Sequence, residues 1–174
     1  MAFSWSLMRV ERIVSGGQTG ADRAALDWAL ARGVAHGGWC PRGRRAEDGP
    51  IAARYGLAET PSEDYAQRTE WNVRDSDATV IITLAATLGG GSRLTAEGAA
   101  ALGRPWLHLS RERDGLAAGA RLAAFLDAHP IRVLNVAGPR ASAEAEIAAF
   151  VARVLTEALA PAGPPAASPA GPAG

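Results

Sequence analysis

Apolar positions along the chain recur in two rhythms. Short apolar runs at 12–15 (R-I-V-S), 37–40, 57–59, 79–84 (T-V-I-I-T-L), 106–109 and 132–136 predict six strands. Between them apolar residues return every three or four positions, the period of a helix buried on one side. Helices are predicted over 22–32, where Leu26, Ala29 and Leu30 share a face; over the polar stretch 63–74; over 92–102; and around Leu116, Leu122, Phe125 and Leu126. A last helix carries Ile147, Phe150, Val151, Val154, Leu155 and Ala158 as one stripe. The run at 79–84 is apolar on both faces, which predicts the middle of a sheet. Residues 41–56 read as a long loop.

Strands alternating with helices predict the α/β class, with a Rossmann-like three-layer α/β/α architecture and a mostly parallel open sheet. Right-handed crossovers leave few topologies, and strand order 3-2-1-4-5-6 is expected. That order makes strands 1 and 4 neighbours at the switch point, where ligands bind beyond the carboxyl ends of the strands. It would bring together the glycine loop after strand 1, the arginine loop after strand 2 and the glycine loop after strand 4.

Composition narrows the chemistry. The length, 174 residues, suits one domain, expected over 1–160 as a ligand-binding unit. The tail 161–174 contains only Pro, Ala, Gly and Ser and is expected to be disordered. Formal net charge is zero, so the basic excess of a nucleic-acid binder is missing. All 18 basic residues are Arg, which excludes a P-loop lysine or a Schiff base. A single cysteine allows no intrachain disulfide, and the scattered His36, His108 and His129 match no metal spacing. No apolar run reaches the roughly 18–20 residues of a membrane span, and the start of the chain shows no secretory pattern. A soluble cytoplasmic protein is expected.

Four segments could carry chemistry. In S-G-G-Q-T-G-A-D, Gly16, Gly17, Gln18, Thr19 and Gly20 lie between a strand and a helix, where backbone N–H groups and the helix dipole can hold an anion. The same residues also allow a structural reading, with Thr19 and Asp22 as a capping box. In the second segment Gly89, Gly90, Gly91 and Ser92 offer another strand-to-helix turn, followed by Thr95 and Glu97. The third, W-C-P-R-G-R-R-A-E-D-G, presents Arg42, Arg44 and Arg45 for phosphate or for pairing with Glu47 and Asp48. Cys40 reads as a buried small residue. In the fourth, the helix Y-A-Q-R-T-E-W-N-V-R, Arg68 and Asn72 share a face at the site end, and Arg74 lies below it with Asp75.

Together, I-V-S-G-G-Q-T-G-A-D-R, G-G-W-C-P-R-G-R-R-A-E-D-G-P-I, Y-A-Q-R-T-E-W-N-V-R-D-S-D and G-G-G-S-R-L-T resemble the molybdenum (cofactor) carrier protein family, over roughly Arg12 to Leu109. That family is similar to a wider Rossmann-like group with lysine-decarboxylase-like nucleotide phosphoribohydrolases and nucleotide-sensing proteins. The resemblance implies a carrier for molybdenum cofactor (molybdopterin), or otherwise a nucleotide, with a molybdoenzyme apoprotein as recipient. It also implies a homo-oligomer. Arg68 and Glu97 fall where the hydrolases place a catalytic Arg and Glu. Thr69, however, stands at their Lys, Gly89 at their Pro, and Arg93-Leu94 at their Gly-Thr. Those departures argue against hydrolase activity and leave the phosphate-binding architecture; a carrier is the first reading, with a phosphoribohydrolase-like enzyme and a non-catalytic nucleotide-sensing domain as the alternatives.

Overall fold

The computed structural model describes residues 10–159; the predicted tail lies outside them. In chain order the elements are β1 (Arg12–Val14), α1 (Ala21–Ala31), β2 (Ala35–Gly37), β3 (Trp39–Cys40), β4 (Arg45–Ala46), β5 (Gly49–Pro50), β6 (Ala58–Glu59) and α2 (Tyr65–Arg74). They continue with β7 (Ala78–Thr83), α3 (Gly90–Ala101), β8 (Trp106–Ser110), α4 (Arg111–Asp114), α5 (Ala118–Ala128), β9 (Val133–Ala137) and α6 (Ile147–Leu159).

The period of two along β7 sets the layers. Ala78, Val80 and Ile82 enter the main core with Ala25 and Trp28 of α1, Leu122 and Leu126 of α5, and Val151 and Leu155 of α6. Ile81 points the other way and packs on Ala96 of α3. The parallel sheet therefore lies between α1, α5 and α6 on one face and α2 and α3 on the other, the three layers expected.

The strand order differs from the expected one. The main sheet has five strands ordered β2-β1-β9-β7-β8, so the last strand in the chain separates the first from β7. Strands 1 and 4 of the sequence reading, β1 and β7, are not neighbours. Burial explains the choice. In β9 Leu134, Asn135, Val136 and Ala137 are all buried, as a strand covered on both faces requires, whereas β8 begins with an exposed Trp106 and forms the edge. Asn135 is held there by its Nδ2–H donating to Thr79 Oγ1 at 3.1 Å. Counted from β9 as the first strand, the same sheet reads 3-2-1-4-5, the doubly wound order. The topology is the expected one with its start moved, and the switch point falls between β9 and β7.

The predicted second strand is divided. Gly38, at φ 126°, breaks it, and β3 pairs with β6 in a separate small sheet. The loop 41–56 folds into the β4–β5 hairpin over a satellite core of Leu26, Cys40, Ile51, Tyr55 and Leu57. Burial pushes the Cys40 thiol up, in keeping with a packing role.

Candidate functional site

At the carboxyl ends of β9 and β7 the sheet opens into a cleft of about 920 Å³, within the size range of cofactor sites. Gln18 and Asp22 reach it from the start of α1, and Tyr65, Arg68 and Thr69 from α2. Gly89, Gly90, Gly91, Ser92 and Thr95 come from the start of α3, and Gly138, Pro139 and Arg140 from the exit of β9.

The Ser15–Gly20 loop is packed rather than open. The N–H of Gln18 donates to Asp22 Oδ2 at 3.3 Å, that of Thr19 to Gln18 Oε1 at 3.0 Å, and that of Ala21 to Pro139 O at 3.1 Å. These donors are engaged within the protein. Thr19 forms no capping box: α1 begins after Gly20 without a side-chain cap, and Thr19 Oγ1 instead donates to Glu47 and accepts the Ala141 N–H. Gly17 and Gly20 have φ values of 77° and 80° and lie against neighbouring atoms, so their roles are conformational and steric. From this loop Gln18 lines the cleft, while Gly16 lines a small recess beneath it.

The second loop is the reverse. Gly89 is the N-cap residue of α3 and provides no side chain to bond the first-turn N–H groups. Gly90, Gly91 and Ser92 all belong to the helix. A helix N-terminus of this kind presents donors and a partial positive charge to whatever occupies the cleft.

Arg68 stands on the cleft wall and pairs with Asp22 at 3.3 Å, the side chains being 14% and 4% exposed. Burial pushes the Asp22 carboxyl up; the Arg68 guanidinium and hydrogen bonds from Gln18, Ser15 and Gly16 oppose that rise without cancelling it. Across the cleft the Arg140 guanidinium lies 5.7 Å from the centre of the Tyr65 ring, and that of Arg68 lies 5.8 Å from it. Glu144 accepts the N–H groups of Leu84 and Ala85 at 2.5 and 3.2 Å and so fastens the exit of β7.

Other predicted residues are elsewhere. Arg44 donates to the carbonyls of Ile51, Ala52, Tyr55 and Leu57 and ties the hairpin loop together. Arg42 is exposed and bridges to Glu63 at 3.1 Å. Neither lines the cleft, because the arginine loop closes on itself. Glu97 is exposed on α3 and is also outside the cleft. Asn72 grips the backbone N–H and carbonyl of Trp39 while lining the small recess beside Arg68, and Arg74 pairs with Asp75 away from it.

Comparison with known proteins agrees with this architecture. A model of the circularly permutated YpsA SLOG family matches residues 13–159. The chain belongs to that family. The crystal structure of a putative molybdenum carrier protein from Syntrophus aciditrophicus SB is similar to it at a TM-score of 0.83 and 43% identity, covering 88% of this chain and 97% of the other. No curated protein matches. In this member of the permutated SLOG family, the central position of β9 is what a moved chain start produces.

The permutation also explains which site residues the sequence reading missed. With β9 in first place, the loop at the switch point is A-G-P-R, Ala137 to Arg140. Its signal was available, since Gly138-Pro139 ends an apolar strand just as the two glycine loops do. Tyr65 gave no such signal; its place at the site end of α2 comes from the fold.

Proposed function

We infer that the chain binds and carries a small phosphate-bearing heterocycle, with molybdenum cofactor as the leading cargo. The observation behind this reading is the α3 N-terminus, which opens without a side-chain cap into a cleft at the switch point. The phosphate would rest on the backbone N–H groups of Gly90 and Gly91, since that of Ser92 donates to Gly89 O at 3.1 Å, with Arg140 near it and Thr95 below. This narrows the two-loop placement, because the N–H groups of Gln18 and Thr19 already have protein partners. The Syntrophus protein, named a putative molybdenum carrier, supports the choice of cargo. Molybdopterin holds its metal through its own dithiolene sulfurs, so the cleft has to recognise the pterin and the phosphate. A carrier would shield the labile compound and pass it to a molybdoenzyme apoprotein.

The phosphoribohydrolase alternative needs a carboxylate at the bond to be cleaved. Glu97, which falls where the hydrolases place their Glu, is outside the cleft. A nucleotide-sensing role would use the same cleft and is separated by the identity of the ligand.

The test is to purify the chain from a host that makes the cofactor, release bound molecules by denaturation, and measure pterin fluorescence and molybdenum together. Co-purifying pterin and metal that activate a molybdoenzyme apoprotein are expected. A retained nucleotide without pterin would favour sensing, and release of free base from nucleoside monophosphates would overturn the carrier reading. Self-association, which the family resemblance implies, is read by sedimentation over micromolar concentrations.

A further inference from the structure

The donors at the cleft floor that have no partner are more informative than those that have one. Gln18 is only 5% exposed and lines the cleft. Its Oε1 accepts two backbone N–H groups, from Thr19 at 3.0 Å and Glu47 at 2.9 Å. Those two bonds fix the amide orientation, and its Nε2 has no partner. Arg68 repeats the pattern: Nη1 is paired with Asp22, while the buried Nε has no partner. A buried donor without an acceptor costs free energy, so an oxygen or nitrogen acceptor brought to either atom would be favoured.

Charge and size specify which acceptors. The Asp22–Arg68 pair leaves the floor without net charge, and a carboxylate 3.3 Å from the guanidinium repels a phosphate there. The small recess shares Asp22, Arg68, Thr69 and Thr95 with the main cleft and has a volume of about 10 Å³. That is room for about one oxygen atom, too little for a phosphoryl group. Gly16 leaves the recess open, since a Cβ there would run into the Arg68 guanidinium. Asp22 Oδ2 already receives Gln18 N–H and Arg68 Nη1.

We propose that Gln18 and Arg68 form a specificity subsite that selects a fused ring presenting a carbonyl oxygen next to a ring-nitrogen acceptor of the neighbouring ring, and rejects the amino-substituted ring. The inference rests on the cleft being the ligand site. A 6-oxopurine or 4-oxopteridine presents two adjacent acceptors, the pattern that Arg reads on guanine, whereas adenine replaces the carbonyl with a donor. The amino ring keeps its ring-nitrogen acceptor but sets an N–H group against the other N–H donor and leaves that donor unpaired. The phosphate of the same ligand would lie at the α3 end.

The experiment uses the full chain and calorimetric titration with guanosine, inosine and adenosine monophosphates and with inorganic phosphate. Guanosine and inosine monophosphates should bind about ten-fold or more tightly than adenosine monophosphate, the size of one bidentate discrimination. Inosine lacks the 2-amino group, so its grouping with guanosine isolates the carbonyl. Gln18→Glu, which puts an acceptor in place of the donor, should collapse that ratio. Equal binding of all three nucleotides, or inosine grouping with adenosine, overturns the subsite and leaves the cleft reading intact. If neither nucleotides nor phosphate bind, the cleft reading falls and takes the subsite with it. The wild-type ratio needs no variant and decides the matter even if Gln18→Glu fails to fold.

Discussion

A Cβ added at Gly17 would lie 2.6 Å from Leu57 Cδ1 and 2.9 Å from Ile51 Cδ1, and one at Gly20 would lie 2.5 Å from Pro139 O. A Cβ added at Gly89, Gly90 or Gly91 would meet nothing within 4 Å. Both loops join a strand to a helix and are rich in glycine. In the first, glycine lets protein pack on protein, with the satellite core on one side and the β9 exit on the other. In the second, it leaves a helix N-terminus uncovered. Glycine content alone reports that the backbone must be bare, and the neighbours decide what it is bare for.

The largest effect expected from this contrast is on Gly17. Gly17→Val places a β-branched residue at φ 77° and pushes it into Leu57 and Ile51. Backbone strain and overpacking, at about 1–3 kcal/mol each, together make a loss of about 4 kcal/mol. Urea unfolding reads it directly. A wild-type midpoint in this variant would show that the first loop is as open as the second.

Next in size is the ion pair between that loop and α2. Arg68→Met leaves the Asp22 carboxylate buried without its cation, which costs about 3 kcal/mol at neutral pH. The pH dependence has a definite sign. The folded-state pKa of Asp22 is already raised by burial, so its ionisation is harder in the folded protein than in the unfolded chain. The variant raises it further. Its deficit should shrink as pH falls through the folded pKa and the carboxyl takes up a proton, and should grow as pH rises. Unfolding midpoints for both proteins across the acid range measure this. A deficit independent of pH would mean that Arg68 acts through packing alone.

Much of the molecule was legible from apolar periodicity, because each strand and helix has to bury its own face. The layers followed from that, as did the placement of Arg68 and of Gly89 to Ser92 on one cleft. Strand order was not legible, because neighbouring in sequence predicts neighbouring in space only as a tendency. The buried Asn135 is satisfied by Thr79 two strands away in the chain, a partner that no local pattern reveals. Arg44 misled for a related reason. Its spacing suits phosphate, but its guanidinium is taken up by carbonyls of residues 51–57 once the loop folds back. The same folding withdraws Arg42 to Glu63.

Glu47 gives a smaller, pH-dependent test of how firmly the first loop is held. It accepts the Ser142 hydroxyl at 2.5 Å and the Ser142 N–H at 3.2 Å, and is bonded also by Thr19 Oγ1, so it ties the hairpin to the β9 exit. These bonds, the Ser142 hydroxyl foremost, hold its carboxyl below the usual carboxylate range. The tie is therefore complete above the unfolded pKa and is lost as pH falls through the folded one. Amide exchange at Ser142 and Ala141 should quicken in that acid window, after correction for the intrinsic rate. Glu47→Leu should exchange fast at all pH. Equal protection in both proteins would detach the β9 exit from this contact.

The smallest change in stability is expected at Gly91, and it sharpens the contrast most. Gly91 lies inside the first turn of α3, its φ is not positive, and a Cβ would stand in open space. Alanine loses less conformational freedom than glycine on entering a helix, so Gly91→Ala should stabilise the protein by about 0.5 kcal/mol. Any substitution in the first loop does the opposite if the packing there is as tight as Gly17 and Gly20 indicate. The added methyl group nonetheless stands where a phosphate would approach the N–H groups of α3, so binding of inorganic phosphate should weaken although the fold becomes firmer. Unfolding and phosphate titration on the one variant separate these effects. A variant that is both more stable and unimpaired in binding would move the anion away from the α3 N-terminus. One that is less stable would show that Gly91, like Gly17, is required by the packing of the protein itself.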